Sequence, residues 1–275
     1  MMKLGSGWVK VTVSILAWAL LTGAPGAAEK KIKVLLIGKD RDHPFTTHEY
    51  MADCRLLARC LEQTPGVEAV VSNGWPSDPA VLGGVKAIVL HTQKGGNVLL
   101  GSPARRQAEA LLEQGAGLTA IHWSTGADTG EVGERWLRTL GGWFNPDFSK
   151  IPVRTATVHQ ADRNHPICRG WKDYDLREEY YIQLRFQPES KPIMTALVEG
   201  AVYPIGWVYE RSGSNGGRSF GFVGGHFHAN FGEKPFRQAL VNGILWTAHV
   251  EVPAAGAPCG ITPKDMDLPP DTRKK

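Results

Sequence analysis

Four short runs of nearly continuous apolar residues constrain this chain of 275 residues most: Ile32–Gly38, Lys86–His91, Gly117–Trp123 and Arg218–Val223. They are too short for ordinary helices, and they lack the polar alternation of a half-solvated strand. Runs of this kind belong to strands covered on both faces, as in a parallel sheet packed between helices. Val67–Val71 adds a further strand. Helical spacing recurs between them. Met51, Leu56, Leu57, Ala58 and Leu61 mark a helix over His48–Gln63, ended by Pro65 and Gly66. Pro103 opens another that runs to Gln114 and is stopped by Gly115 and Gly117, and Pro235 starts a third with Phe236, Leu240, Ile244 and Leu245 on one face. Strand and helix alternating in this way need right-handed crossovers. The expected fold is therefore α/β, a doubly wound and mostly parallel sheet with helices on both faces.

The middle of the chain breaks this rhythm. From Gly141 to Glu210 prolines are frequent, and short β-like runs replace helical spacing at Val153–His159, Tyr180–Phe186, Ile193–Leu197 and Ile205–Glu210. They predict a β-rich insertion that returns to the sheet before its last strand, within one domain. At the N-terminus, Lys3 and Lys10, the apolar stretch Val11–Leu21 and the small residues Gly26, Ala27 and Ala28 read as a cleaved signal peptide over residues 1–28. The apolar stretch is short of the roughly 20 residues that a spanning helix needs. The expected organisation is a leader, an α/β domain over 29–253 and a Pro-rich, charged tail over 254–275, in a protein that is exported, periplasmic or secreted. Losing Lys3 and Lys10 lowers the formal charge of +4 by two, so the mature chain is nearly neutral, with no basic stripe for nucleic acid and no membrane segment.

Four cysteines in an exported chain invite pairing. Cys54 and Cys60 fall on nearly opposite faces of one helix and should not bridge, whereas Cys168 and Cys259 lie in loop-like segments and can pair. Four free thiols are the alternative.

Histidines collect where strands end. His43 and His48 follow the first strand, His91 and His122 close two others, and His226 and His228 follow the last. In a doubly wound sheet those carboxyl ends share one rim, where ligands bind. The two residues of spacing between His226 and His228 would point both rings to one side of an extended chain. With Glu49, Glu178 and Glu179 nearby, such a rim can ligate a transition metal, zinc first, or supply acid and base groups. Rival chemistries are weaker. In HWSTG, Ser124 stands in the place of an elbow nucleophile, but His122 replaces the Gly that the sharp turn favours. No cysteine occupies the turn, so a glutamine-amidotransferase nucleophile is missing. No GxGxxG follows the first strand and no GxxxxGK[ST] occurs, so no nucleotide cofactor is expected.

The stretches HEYMADCRLLARCLEQTPGVEAVVSNGWP, GLTAIHWSTG, NHPICRGW, REEYYIQLRF and GRSFGFVGGHFHANFGEKPFRQALVNGILWTAHVEVP resemble the trehalose-utilisation, or ThuA-like, family from about Lys31 to Pro253, most specifically at GGHFH. The resemblance implies a fold like class I glutamine amidotransferases, flavodoxin-like in outline but without their cysteine, and a link to disaccharide and keto-sugar metabolism. It places the family's His-Glu on His48 and Glu49, its strand-end histidine on His122, its acidic pair on Glu178 and Glu179, and its closing Gly-His-x-His on Gly225, His226 and His228. Tyr50 and Gly126 depart from the pattern, which has a second histidine in some relatives at the first and an acid at the other. The expectation is an enzyme on a carbohydrate or keto-sugar derivative. His122, Glu179, His226 and His228 are its catalytic candidates, and His226, His228 and His122 its metal ligands. His48, Glu49, Trp123, Glu178 and Tyr181 are its substrate contacts. Trp123, Tyr181 and Trp207 are candidates to stack on a sugar ring. A non-catalytic carbohydrate-binding or scaffolding protein with the same rim is the alternative.

Overall fold

The computed structural model describes residues 1–2 and 31–271; apart from Met1 and Met2, the expected leader lies outside them. The first half alternates strand and helix: β1 (Ile32–Gly38), α1 (Tyr50–Leu61), β2 (Val67–Asn73), β3 (Val85–Leu90), α2 (Gly95–Leu100), α3 (Arg105–Glu113), β4 (Gly117–Ile121) and α4 (Glu131–Leu140). A β-rich stretch follows with β5 (Gly142–Trp143), β6 (Val153–Gln160), β7 (Tyr174–Glu179), β8 (Arg185–Phe186), β9 (Lys191–Val198) and β10 (Ala201–Glu210). β11 (Arg218–Phe222) and α5 (Lys234–Thr247) complete the body.

Nine strands form one mixed sheet in the order β2-β1-β3-β4-β11-β10-β9-β6-β7. Its first five are parallel, with Leu35 of β1 opposite both Val70 and Ile88. Their order is the flavodoxin-like one, whose reversal between β1 and β3 opens a crevice at the carboxyl ends. The apolar runs explain this half directly: Val34 to Ile37, Ala87 to Leu90 and Leu118 to Ile121 are fully buried. Helices cover both faces. On β11, Ser219 Oγ donates to Thr139 O of α4, while the next residue, Phe220, packs on Gly243 of α5.

The β-rich stretch extends the same sheet rather than standing apart from it, as β10, β9, β6 and β7 add antiparallel beyond β11. Within it, the strand expected at Tyr180–Phe186 is displaced to Tyr174–Glu179 and the short β8. Tyr180 and Tyr181 are turned inward instead, Tyr180 donating its hydroxyl to Leu176 O at 2.9 Å and Tyr181 stacking on Phe144. The tail is part of the body too. Gln63 and Gly260 exchange two hydrogen bonds, Arg59 pairs with Asp265 and Arg41 with Asp271, and residues 31–271 belong to one compact unit. All four cysteines are buried free thiols, so Cys168 and Cys259 do not pair.

Candidate metal centre

Two loops are zipped together above the sheet. Thr47 and Phe227 form an antiparallel bridge, the His48 N–H donates to His226 O at 3.0 Å, and the His228 N–H donates to Thr46 O at 3.0 Å. This joins the loop after β1 to the loop after β11. Three backbone positions there are unusual: His48 has φ 51°, His122 has φ 54°, and Gly225 has φ 122°. Left-handed backbone in non-glycine residues costs free energy and gathers at functional sites. His122, and not Ser124, thus takes the sharp left-handed turn at the end of β4.

The result is a knot of donor atoms. Atoms of His48, His122, Glu179 and His226 all lie within 4.8 Å of one another. His48 Nε2 is 2.9 Å from His226 Nδ1 and 3.1 Å from His122 Nε2, while Glu179 Oε2 is 3.4 Å from His226 Nδ1 and 3.5 Å from His122 Nε2. Four donors around a tetrahedral zinc ion sit about 3.3 Å apart, given bonds of about 2.0–2.1 Å to nitrogen. The spacing fits.

The outer nitrogens set which atoms face inward. His122 Nδ1 donates to Val223 O at 2.7 Å, leaving Nε2 as the lone pair, which accepts the Tyr181 hydroxyl at 3.0 Å. His48 Nδ1 lies 3.2 Å from the Asp42 carboxylate and 2.7 Å from the Tyr50 hydroxyl, so an N–H there leaves its Nε2 as acceptor. Burial pulls the pKa of His48 down to about 3, which keeps its ring neutral, the form that binds metal. Burial alone would raise Glu179, but the His122 and His226 rings beside its carboxylate hold it well below the usual range and ionised. Three imidazole nitrogens and a carboxylate can therefore hold a metal ion.

The trehalose-utilisation family profile matches residues 33–247. The chain belongs to the ThuA family. A ThuA-like protein from Bacteroides uniformis matches with a TM-score of 0.58 at 18% identity, covering 82% of this chain and 94% of its own. Two cytoplasmic proteins from Salmonella typhimurium match with a TM-score of 0.55 at 15% and 14% identity, each covering 78% of this chain and 99% of its own. At such identities they share the fold. No curated protein matches the chain.

In this ThuA-family chain, the candidates divide sharply. His48, which the sequence places as a substrate contact, stands at the centre of the knot. His228 leaves it: its Nδ1 is 2.5 Å from Asp53 Oδ1, and its Nε2 donates to Met266 O at 3.0 Å. The reason is local, because the chain stops being extended at Phe227 and enters a 3-10 turn over His228–Gly232. His91 joins the same buried group through Asp53 Oδ2 at 3.0 Å. His43 lies against His48 with ring centroids 3.7 Å apart and the planes tilted by 33°, beside Asp42.

Glu178 and Glu49 do not reach the knot either, and they act on backbone. Fully buried Glu178 accepts from the N–H groups of Gly225 at 2.8 Å and His226 at 3.2 Å, and from the Asn230 amide at 2.9 Å, which fixes the loop that carries His226. Glu49 accepts from Thr46 N at 3.0 Å and pairs with Arg41. Ser124 is buried, donating to Thr92 O and accepting from Thr92 N. Trp207 is buried in the core with its Nε1 donating to Leu140 O, and Tyr181 is covered as well. Only Trp123 among the three stacking candidates keeps an open edge, beside His43 and His48. Sequence reasoning missed Asp42, Asp53 and Tyr50 as partners of the histidines. The adjacency of Asp42 to His43 is the one signal it offered.

Proposed function

We propose that this exported ThuA-family protein is an enzyme acting on a carbohydrate or keto-sugar derivative, with a divalent metal, zinc first, held by His48, His122 and His226. The convergence of three imidazole nitrogens on one point carries this reading, because each ring has its other nitrogen or its backbone engaged in a bond that fixes its direction. A bound divalent ion supplies Lewis-acid polarisation of a sugar carbonyl or hydroxyl oxygen. Glu179, kept ionised, balances its charge or orients the reacting group. The Tyr181 hydroxyl, donating to His122 Nε2 at 3.0 Å, helps to hold that ring in place. Trp123 offers the apolar face on which a sugar ring stacks. The family's name, trehalose utilisation, supports a sugar as substrate.

The test is turnover of keto-disaccharides by the full chain with and without added zinc. Metal-dependent hydrolysis, elimination or isomerisation, lost in His122→Ala, is the expected result. Binding of the sugars without any turnover, with metal loaded, would instead make this a carbohydrate-binding module. Export is tested by N-terminal sequencing of protein from the native host, which should begin near Glu29; an intact Met1 would contradict it.

A further inference from the structure

A buried tyrosine stands behind the donor knot. Tyr50 is the first residue of α1, and none of it is exposed. Its ring meets His91 edge-on with centroids 5.0 Å apart, a contact that phenylalanine could make as well. The hydroxyl therefore needs its own reason, because a buried hydroxyl is tolerated only where it is hydrogen-bonded. Its partners are His48 Nδ1, at 2.7 Å, and the Asp42 carboxylate.

Both nitrogens of His48 are engaged, yet a neutral imidazole carries one proton. Nε2 faces His226 Nδ1 and His122 Nε2 at 2.9 and 3.1 Å, whereas Nδ1 faces Tyr50 and, at 3.2 Å, Asp42. A proton on Nε2 would point at the other donor atoms and shut a metal out. It would also leave the Nδ1 lone pair against the Asp42 carboxylate, which is ion-paired with Lys39 and can only accept. A proton on Nδ1 satisfies every group: the ring donates to the Tyr50 oxygen, the phenol donates onward to Asp42, and the Nε2 lone pair turns to the knot. Asp42 is the weaker anchor by itself. Its side chain is 22% exposed, it stands farther from His48, and it is shared with Lys39 and His43. The Tyr50 hydroxyl is closer and out of reach of water.

We propose that Tyr50 is a positioning residue for the metal, its hydroxyl linking His48 Nδ1 to Asp42 and so holding the Nε2 lone pair on the ion. This rests on the metal-centred function proposed above. The test is competition of zinc between a chromophoric chelator and the full chain, unaltered or carrying Tyr50→Phe. Groups that orient a metal-bound histidine typically change affinity about 10–100-fold, so the zinc dissociation constant should rise by that factor. The visible spectrum of the cobalt(II)-loaded protein should shift in the same variant. Tyr180→Phe is the control: it loses a hydroxyl that donates to Leu176 O and touches no histidine, so its melting temperature should fall while zinc affinity and the cobalt spectrum stay unchanged. Zinc bound within twofold of the unaltered affinity by Tyr50→Phe would overturn the role of Tyr50 alone, as would an equal loss of affinity in Tyr180→Phe. No zinc binding by the unaltered protein would overturn the metal centre and this role with it.

Discussion

Only Phe227 separates His226 from His228, yet the two histidines do different work. His226 Nδ1 faces the donor knot, whereas His228 closes a buried group with Asp53 and His91. Although burial pulls His228 down, the Asp53 carboxylate and Met266 O hold its pKa above the ordinary value. Breaking a buried pair of this kind strands a charge. His228→Ala should therefore cost about 2–4 kcal/mol, seen as a lower melting temperature, while metal content stays the same. Unchanged melting would contradict the pairing. At Ser124 the expected outcome is silence: with its hydroxyl held by both backbone groups of Thr92, it should not be labelled by a fluorophosphonate probe. The strand-end positions of His48, His122 and His226 were legible in the sequence. The direction of His228 was not, because it depends on where the backbone leaves extended geometry after Phe227.

At the scale of elements, legibility followed burial. β1, β3, β4 and β11 are covered on both faces and show it as apolar runs, so they were read within a residue or two. β7 was missed because an edge strand with sequence YDLREE buries only alternate side chains and carries charge on the others. α4 lacks an obvious run because Gly133 interrupts it, and the glycine is needed there: a Cβ would meet the Trp143 ring at 2.1 Å. The same logic gives a prediction for α5. Gly243 lies mid-helix, where alanine would gain about 1 kcal/mol of propensity, but its Cβ would sit 2.3 Å from the Phe220 ring. Overpacking of that kind costs roughly 1–3 kcal/mol, so it outweighs propensity. Gly243→Ala should lower the urea midpoint; a higher one would show that β11 and α5 are not in close contact.

The whole molecule buries all four thiols and several phenols, which fixes its alkaline limit. Burial raises Cys60 and Cys168 from 9.0 to about 12, and raises Cys54, Cys259, Tyr50, Tyr174, Tyr180 and Tyr181 as well. Groups raised in the folded state stabilise it below their unfolded pKa, and that contribution is lost as pH climbs through the folded value. The urea midpoint should thus fall steadily from about pH 9 towards pH 12, and the thiols should resist alkylation at pH 8 until the protein unfolds. The donor knot is also a property of the whole fold, since His48, His122, Glu179 and His226 come from the ends of β1, β4, β7 and β11 and meet only when the sheet is complete. Elemental analysis of protein purified without chelator tests that convergence most directly. About one divalent ion per chain is predicted, lost in His226→Ala and retained in His228→Ala. An unaltered protein that neither carries nor takes up a divalent ion, or a His226→Ala variant that binds it as tightly, would contradict the account.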